Sequence, residues 1–290
     1  MIKKPFIVLG VLVIILLGLF ILLLADIKND AAKKKEKFEN TRAEEITIRI
    51  TEGWNNKEIA DYLEKQGIVS AKDFMKYQAE FDSKGYWFLR DIPNGFDIEG
   101  FLFPDTYRLF ASVKVAEPKT ASETIIRKLL GTFAAKVPEN AEDLAKKQGL
   151  SLYEAITLAS IVENETGRNA VSAEQKKLLD EERGIVAGIF YNRLNIGQAL
   201  ESDATVNYAT GKNLPSPTLE DLQINSPYNT YKYPGLPPGP ISNPSLSSIN
   251  AVLNPTVTDY FFFLHKQPSG EPIYSKTFEE HVQNKFKYLK

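Results

Sequence analysis

The pattern of apolar and polar positions begins with an unbroken apolar run from Phe6 to Leu24, 19 residues without a charge. As a helix rising about 1.5 Å per residue, this run would be roughly 28 Å long, close to the about 30 Å of a membrane's hydrocarbon core. A cleaved signal peptide is the alternative, but its apolar region is usually shorter, about 7–15 residues. Ala25 also leads directly into charged residues rather than into a small-residue cleavage site. The pattern therefore predicts an uncleaved single-span anchor after a cytoplasmic tail of residues 1–5.

The charges on either side of this run give opposing indications of its orientation. Lys3 and Lys4 favour an N-terminus inside the cell, whereas five lysines lie within residues 28–37. Large folded domains can be translocated regardless of flanking charge, so we expect the N-terminus inside and the remainder outside the cytoplasmic membrane. Residues 25–45 are interpreted as a solvated charged stalk, with contact to anionic lipid headgroups as the secondary interpretation.

The first folded elements follow the stalk. Residues 46–50, "ITIRI", alternate and are β-branched, which predicts a strand. Residues 55–68 and 70–81 have helical spacing, and Ser70 is a suitable N-cap for the second helix. A strand and two helices make a small module that looks like a LysM-like fold, a type that commonly binds polysaccharide containing N-acetylglucosamine. A spacer without a ligand is the alternative.

The remaining pattern predicts a mixed domain. With an aromatic-rich connector, the LysM-like β/α module is assigned to 46–115, and a hinge at 115–122 leads to a mixed α+β catalytic domain over 116–290. Loops rich in Asn, Pro and Gly are expected from about residue 195 to about residue 244. Helices are expected over 123–137, 140–148, 151–166, 184–194 and 245–254, followed by a hairpin of 258–265 with 272–275 and a last helix capped by Thr277. The expected fold class is α+β with a single N-terminal transmembrane helix.

Composition narrows the chemistry. The chain has no cysteine and two histidines, which excludes disulfides, thiolate metal sites and cysteine nucleophiles and leaves little for a histidine-based site. The formal net charge of −2 gives no global attraction to nucleic acid. We therefore expect chemistry carried by carboxylates, without a metal or a cofactor.

One apolar helix ends in two carboxylates, in "LASIVENETG" (158–167). On a helix with 3.6 residues per turn, Glu163 continues an apolar stripe, and Glu165 falls on nearly the opposite face. The two acids are therefore not expected to share a site. A carboxyl in apolar surroundings has a raised pKa, which is what a general acid needs near neutral pH. The alternative is that Glu163 merely ends the stripe and reaches solvent or a basic partner such as Arg183. The stripe consists of Leu152, Ala155, Ile156 and Ala159.

Several stretches, taken in order, resemble the YceG-like (MltG-type) family of endolytic murein transglycosylases. The resemblance extends over essentially the whole chain. One departure is Ala204, where the family often has a proline after the aspartate of the "SD-x-T" stretch. The stretches are "EGFLFPDTY" (99–107), "ASIVENET" (159–166), "VAGIFYNRL" (186–194), "LESDATVNYATG" (200–211), "SPYNTYKYPGLPPGPISNP" (226–244) and "DYFFFL" (259–264).

The resemblance implies a membrane-anchored lytic transglycosylase. Such an enzyme cuts peptidoglycan glycan strands internally at the β-1,4 bond between N-acetylmuramic acid and N-acetylglucosamine, leaves 1,6-anhydro ends and would terminate nascent strands. Its catalytic glutamate matches Glu163, the first acid of "ASIVENET". The substrate's own 6-hydroxyl would be the nucleophile, so a second carboxylate is not required. The implied partners are glycan strands, the cytoplasmic membrane and peptidoglycan synthases.

Further polar residues are candidates for binding sugar or orienting the acid. The alternative for the tyrosine-rich segment is turn chemistry, while Asn192 could instead cap a helix and Asp203 start a turn. Glu99 and Asp105 are expected to be mainly structural. The substrate-binding candidates are Asn192, Asp203, Tyr228, Asn229, Thr230 and Tyr231.

Two other functions remain open from the sequence. One is a peptidoglycan-binding scaffold of cell-wall assembly without catalysis. The other is a muramidase-type hydrolase, which would need a second carboxylate near Glu163, for which Glu165, Glu201 and Asp203 are candidates.

Overall fold

The computed structural model describes residues 4–42, 44–167 and 172–289. The chain divides into two compact units. The first contains Met1–Ile48 and Arg108–Ala116, and the second contains Arg49–Tyr107 and Glu117–Lys290. The predicted boundaries of the tail, anchor, stalk, module and catalytic domain stay predictions.

A single helix, α1 (Lys4–Arg42), contains both the apolar run and most of the predicted stalk. Among the residues that the structure describes, no helix is both long enough and apolar enough to cross a membrane. The side chains of residues 6–16, which begin the predicted span, lie outside the described part. The apolar side chains that are described, such as Phe20 and Leu22, are 58% and 67% exposed. The membrane-spanning segment therefore stays a prediction.

The predicted strand and both helices of the small module are confirmed. They are β1 (Glu45–Arg49), α2 (Asn56–Lys65) and α3 (Ala71–Ala79), and the Ser70 hydroxyl accepts from the Asp73 backbone nitrogen at 3.1 Å. A second strand, β2 (Thr106–Phe110), pairs with β1 and was not predicted. Its residues alternate between exposed and buried, the pattern of a half-buried strand, but it lies in a segment whose aromatic residues obscure that alternation. The likeness to a LysM-like fold stays a prediction.

Helices make up most of the second unit. They pack around α6 (Leu152–Thr166), which contacts α5 (Ala141–Lys147), α7 (Ala173–Asn195), α8 (Asp203–Thr210) and α9 (Leu246–Leu253). A hairpin of two antiparallel strands places Phe262 opposite Ser275. The remaining α-helices and strands of this unit, after α3, are α4 (Pro118–Lys136), β3 (Phe262–His265), β4 (Pro272–Ser275) and α10 (Phe278–Tyr288).

Three expectations for these elements were wrong. The predicted hinge at 115–122 is largely helical, because α4 begins at Pro118, where the fixed φ of proline suits the first turn. Helix α7 begins eleven residues before the predicted start at 184, with a capping box from Ser172. Helix α8 lies in a segment that was expected to be loop.

Helix α6 is the centre of the second unit and is buried on every side. All residues from Ala155 to Glu163 are buried, which is the pattern of a helix enclosed by protein rather than of a surface helix with one apolar stripe. Its N-terminus has a capping box formed by Ser151 and Glu154. No face of α6 is exposed to solvent along this stretch. Side chains on opposite faces of the helix therefore all contact other parts of the protein.

Candidate active site

An open cleft of about 1840 Å³ lies in the second unit, at the C-terminal end of α6. Glu163, Asn164 and Glu165 all line it, together with the first residues of α8 and the loop after β1. Within the described ranges, no group of three or more histidine, aspartate or glutamate side chains is arranged to hold a metal ion. Carboxyl groups from several segments line the cleft, among them Glu99, Glu163 and Glu165.

Glu163 forms a buried ion pair. Arg183 Nη2 donates to its Oε1 at 2.8 Å, and the two side chains are 5% and 3% exposed. Its Oε2 accepts from the Ser245 backbone nitrogen at 2.9 Å, the Ser248 hydroxyl at 2.8 Å and the Ser245 hydroxyl. The expectation of apolar surroundings was wrong, because the N-terminal turn of α9 supplies these serines. The alternative of Arg183 as a basic partner is confirmed.

Glu165 is held differently. Its Oε1 accepts from the Ser202 hydroxyl, next to the first turn of α8, at 2.5 Å. Burial raises the pKa of Glu165, and the Asp203 carboxylate adds to that rise, while the hydrogen bond from Ser202, a nearby His265 and the Ala204 nitrogen lower it. A raised pKa keeps a carboxyl protonated closer to neutral pH, as a general acid requires.

The expectation that the two glutamates do not share a site was wrong in one respect. They do lie on different faces of α6 and have different partners, but both line the same cleft. The reason is that α6 is enclosed, so the face opposite Glu163 meets α8 instead of solvent.

Three of the predicted sugar-binding residues support α8 and the loop around it. Tyr231 donates through its hydroxyl to Asp203 Oδ1 at 2.6 Å. The Thr230 hydroxyl accepts from the Ser202 backbone nitrogen at 3.0 Å. Asn229 is fully buried and donates to two backbone carbonyls of the preceding segment at 3.0 Å. The turn chemistry that was the alternative for this segment is therefore present.

Asp203, Tyr228 and Asn192 have separate environments. Asp203 lines the cleft and is the first residue of α8. The Tyr228 ring lies 4.9 Å from that of Tyr208, and burial raises the pKa of Tyr228 to about 12. Asn192 donates to the carbonyls of Thr258 and Tyr260 at 2.8 and 2.9 Å, so it fastens the chain before β3. The suggestion that Asn192 caps a helix end was wrong, since its amide is directed at that neighbouring segment.

Glu99 and Asp105 both line the cleft and also have structural contacts. Glu99 accepts from the Asn56 backbone nitrogen at 2.9 Å and from the Asn243 side chain at 3.2 Å, and burial raises its pKa well above the usual range. Asp105 pairs with Lys136 at 3.2 Å. The expected structural role of Glu99 is therefore confirmed, because it joins the start of α2 to the segment before α9.

Four supporting residues were missed by sequence reasoning. Ser245 and Ser248 hold Glu163, Ser202 holds Glu165, and Arg193 donates to the carbonyls of Leu200 and Phe261, both at 2.7 Å. The other three are serines: Ser245 caps α9, Ser248 lies in its first turn, and Ser202 precedes α8. Ser245 does cap α9, but its contact with Glu163 spans 82 residues, and nothing local in the sequence signals such a partner.

The fold and cleft together define a mixed α+β protein with a carboxyl-lined cleft, the kind of site that carbohydrate-cleaving enzymes use. The model of the YceG-like family matches residues 26–287, and the chain belongs to that family. The resemblance noted in the sequence is thereby confirmed.

Relatives and a solved structure agree with this assignment. A protein of Bacillus subtilis named endolytic murein transglycosylase is 39% identical over 192 residues, 66% of this chain and 48% of that protein. A protein of the same name from Streptococcus pneumoniae is 32% identical over 201 residues, 68% of this chain and 33% of its own length. The match thus spans about half or less of these relatives. A crystal structure of a YceG-like protein from Listeria monocytogenes aligns over 82% of this chain and 75% of that one, with a TM-score of 0.67 and 32% identity. The predicted α+β class is confirmed.

Proposed function

We propose that the protein is an endolytic lytic transglycosylase that cuts peptidoglycan glycan strands between N-acetylmuramic acid and N-acetylglucosamine. Membership of the YceG-like family and the name of the Bacillus subtilis relative support this reaction. The observation that carries it is a carboxyl group in an open cleft, Glu165, whose pKa is raised by burial and by Asp203.

The contacts favour Glu165 over Glu163 as the proton donor. Four donor groups, one of them a guanidinium, are directed at the two oxygens of Glu163. An oxygen that is already approached by such donors is poorly placed to pass a proton to a sugar. Glu165 has one oxygen tied to Ser202 and lines the same cleft. The sequence-based assignment of Glu163 as the acid stays a prediction, and the two assignments give opposite results on mutation.

The proposed reaction needs only one acid. The proton of Glu165 passes to the glycosidic oxygen as its bond to the anomeric carbon of the muramyl sugar breaks, through an oxocarbenium-like transition state. The carboxylate then takes the proton of the muramyl 6-hydroxyl, whose oxygen bonds to that carbon. Glu165 returns to its starting state, no water is consumed, and the product carries a 1,6-anhydro ring.

The ends of the product strands test the reaction. The full chain in detergent micelles, incubated with purified uncrosslinked glycan strands, is expected to give internal cuts with 1,6-anhydro ends. Mass spectrometry identifies these ends because they are one water lighter than hydrolysed ends. Reducing ends would replace this proposal with a muramidase-type hydrolase. Binding without any cut, when the same preparation is cleaved by an unrelated muramidase, would replace it with the scaffold function.

We further propose that α1 anchors the protein in the cytoplasmic membrane, with the N-terminus inside and the catalytic part outside. The uncharged run of residues 6–24 and the exposed apolar side chains of residues 17–24 support this. Because peptidoglycan lies outside that membrane, the module at 46–115 would contact glycan there, and peptidoglycan synthases are the expected partners. The protein is expected to stay in the membrane pellet during alkaline carbonate extraction, and protease added to spheroplasts should digest its catalytic part. Release by carbonate would overturn the anchor.

A further inference from the structure

The N-terminal turn of α8 is built so that one hydroxyl is directed at Glu165. Ser202, which precedes α8, is 2% exposed and donates to Glu165 Oε1 at 2.5 Å. Its backbone nitrogen donates to the Thr230 hydroxyl at 3.0 Å, and its carbonyl accepts from the Thr205 hydroxyl at 2.8 Å. The two threonine hydroxyls lie 2.8 Å apart. Ser202 is therefore held on both sides, and its hydroxyl has little freedom to turn away.

The next residue brings a negative charge to the same place. Asp203 accepts from the Tyr231 hydroxyl at 2.6 Å, and the Tyr231 backbone nitrogen donates to Asn229 Oδ1 at 3.1 Å. A hydrogen bond to a carboxylate stabilises its charged form. Tyr231 thus holds the Asp203 side chain in place, in the cleft that Glu165 also lines.

We propose that Ser202 and Asp203 are positioning residues that act on Glu165 in opposite directions. The Ser202 hydroxyl fixes Oε1 as the acceptor, and the Asp203 carboxylate keeps the proton on Glu165 in the pH range in which the enzyme cuts glycan. Because the carbonyl oxygen of a neutral carboxyl is its better acceptor, donation to Oε1 leaves the proton on Oε2. This inference rests on the proposed role of Glu165 as the acid.

Besides burial, charged groups from several elements affect the pKa of Glu165. Asp203 of α8 favours the neutral form, and His265 of β3 favours the charged form when it is protonated. Arg193 of α7 interacts with Glu165 and forms an ion pair with Glu201 at 3.3 Å. Tyr231 is neutral near pH 7, since burial and Asp203 raise its pKa. Asp203 is therefore the negative charge whose removal should lower the pKa of Glu165 most directly.

The pH dependence of the rate tests the proposal. The rate falls at alkaline pH as the acid loses its proton, so the midpoint of that alkaline limb follows the pKa of Glu165. Asp203→Asn removes a charge that opposes ionisation, so the midpoint is expected to move about one unit to lower pH. Ser202→Ala removes a donor that stabilises the ionised form, so the midpoint is expected to move about one unit to higher pH, with a lower maximal rate.

A matched control separates this local action from a general loss of charge. Asp259 is exposed and pairs with Lys276 at 2.6 Å, so Asp259→Asn removes the same charge elsewhere in the second unit. Its alkaline limb is expected to coincide with that of the wild type. A purely structural role of Ser202 and Asp203 would lower the rates of their variants without moving the limbs, and that result would overturn the proposal.

A direct titration distinguishes failure of this inference from failure of the proposed function. The side-chain carboxyl of Glu165 is followed by carbon-13 NMR of the full chain labelled at glutamate, and assigned by the signal that Glu165→Gln removes. Opposite shifts of its pKa in the two variants are expected and need no activity. An unmoved pKa overturns the inference alone. Full activity of Glu165→Gln would instead overturn the role of Glu165, whatever the titration shows.

Discussion

Glu165→Gln is expected to remove glycan cleavage, lowering the rate by about 10²–10⁴-fold, while the protein stays folded. The amide of glutamine keeps an acceptor for the Ser202 hydroxyl and the size of the side chain, but it has no proton to give at neutral pH. The half-buried carboxyl of Glu165 makes no ion pair with Arg183, which is paired with Glu163. The measurement is the rate of release of new strand ends, beside a thermal unfolding curve for each variant.

Glu163→Gln is the matched control, since it makes the same change two residues away on the same helix. It removes the buried charge partner of Arg183, whose other ion pair, with the partly exposed Asp180, is longer at 3.7 Å, so the protein is expected to melt at a lower temperature. Below that temperature it should still cut glycan, because the carboxyl of Glu165 is intact. The reverse pattern, with a folded but inactive Glu163→Gln and an active Glu165→Gln, would establish the assignment that the sequence motif favours.

The difference between the two glutamates shows where sequence reasoning stops. The helix, its capping box and its two acids could be predicted from residues 151–166, and the structure has them. The spacing also placed the acids on different faces correctly. The spacing does not show which segment packs against each face of α6. Ser245, which contacts Glu163, and Ser202, which contacts Glu165, are 82 and 37 residues away in the sequence.

The same limit applies to the elements themselves. The strand of the module, helix α9 and the final hairpin follow local rules, and they were predicted within a few residues of their observed bounds. Helix α8 was missed because its eight residues, "DATVNYAT", are mostly poor helix formers, and its N-terminal turn is held by Thr230 and Tyr231 instead. Tertiary contacts decide such a segment, and those contacts are also what place Asp203 in the cleft.

Glu163→Ala is expected to lower the free energy of unfolding by about 3–5 kcal/mol, because it removes the buried charge partner of the Arg183 guanidinium and leaves only the more distant, partly exposed Asp180 at 3.7 Å. The change also leaves donors of Ser245 and Ser248 without their common acceptor, which adds to the cost. For a unit of this size the midpoint of thermal unfolding should fall by roughly 10 °C. Circular dichroism of the full chain in detergent, followed at several wavelengths, gives that midpoint.

Two comparisons make this test specific: an exposed ion pair on α7, the helix that carries Arg183, and a double variant. Lys177 and Glu181 of α7 form an exposed pair at 3.9 Å, and Glu181→Ala is expected to leave the midpoint nearly unchanged. The double variant Arg183→Met with Glu163→Leu takes both charges out of the interior. It should therefore be more stable than Glu163→Ala alone. If Glu163→Ala instead melts like the wild type, the ion pair does not stabilise the fold. That result would contradict the structural role of Glu163 and remove the argument for Glu165 as the acid.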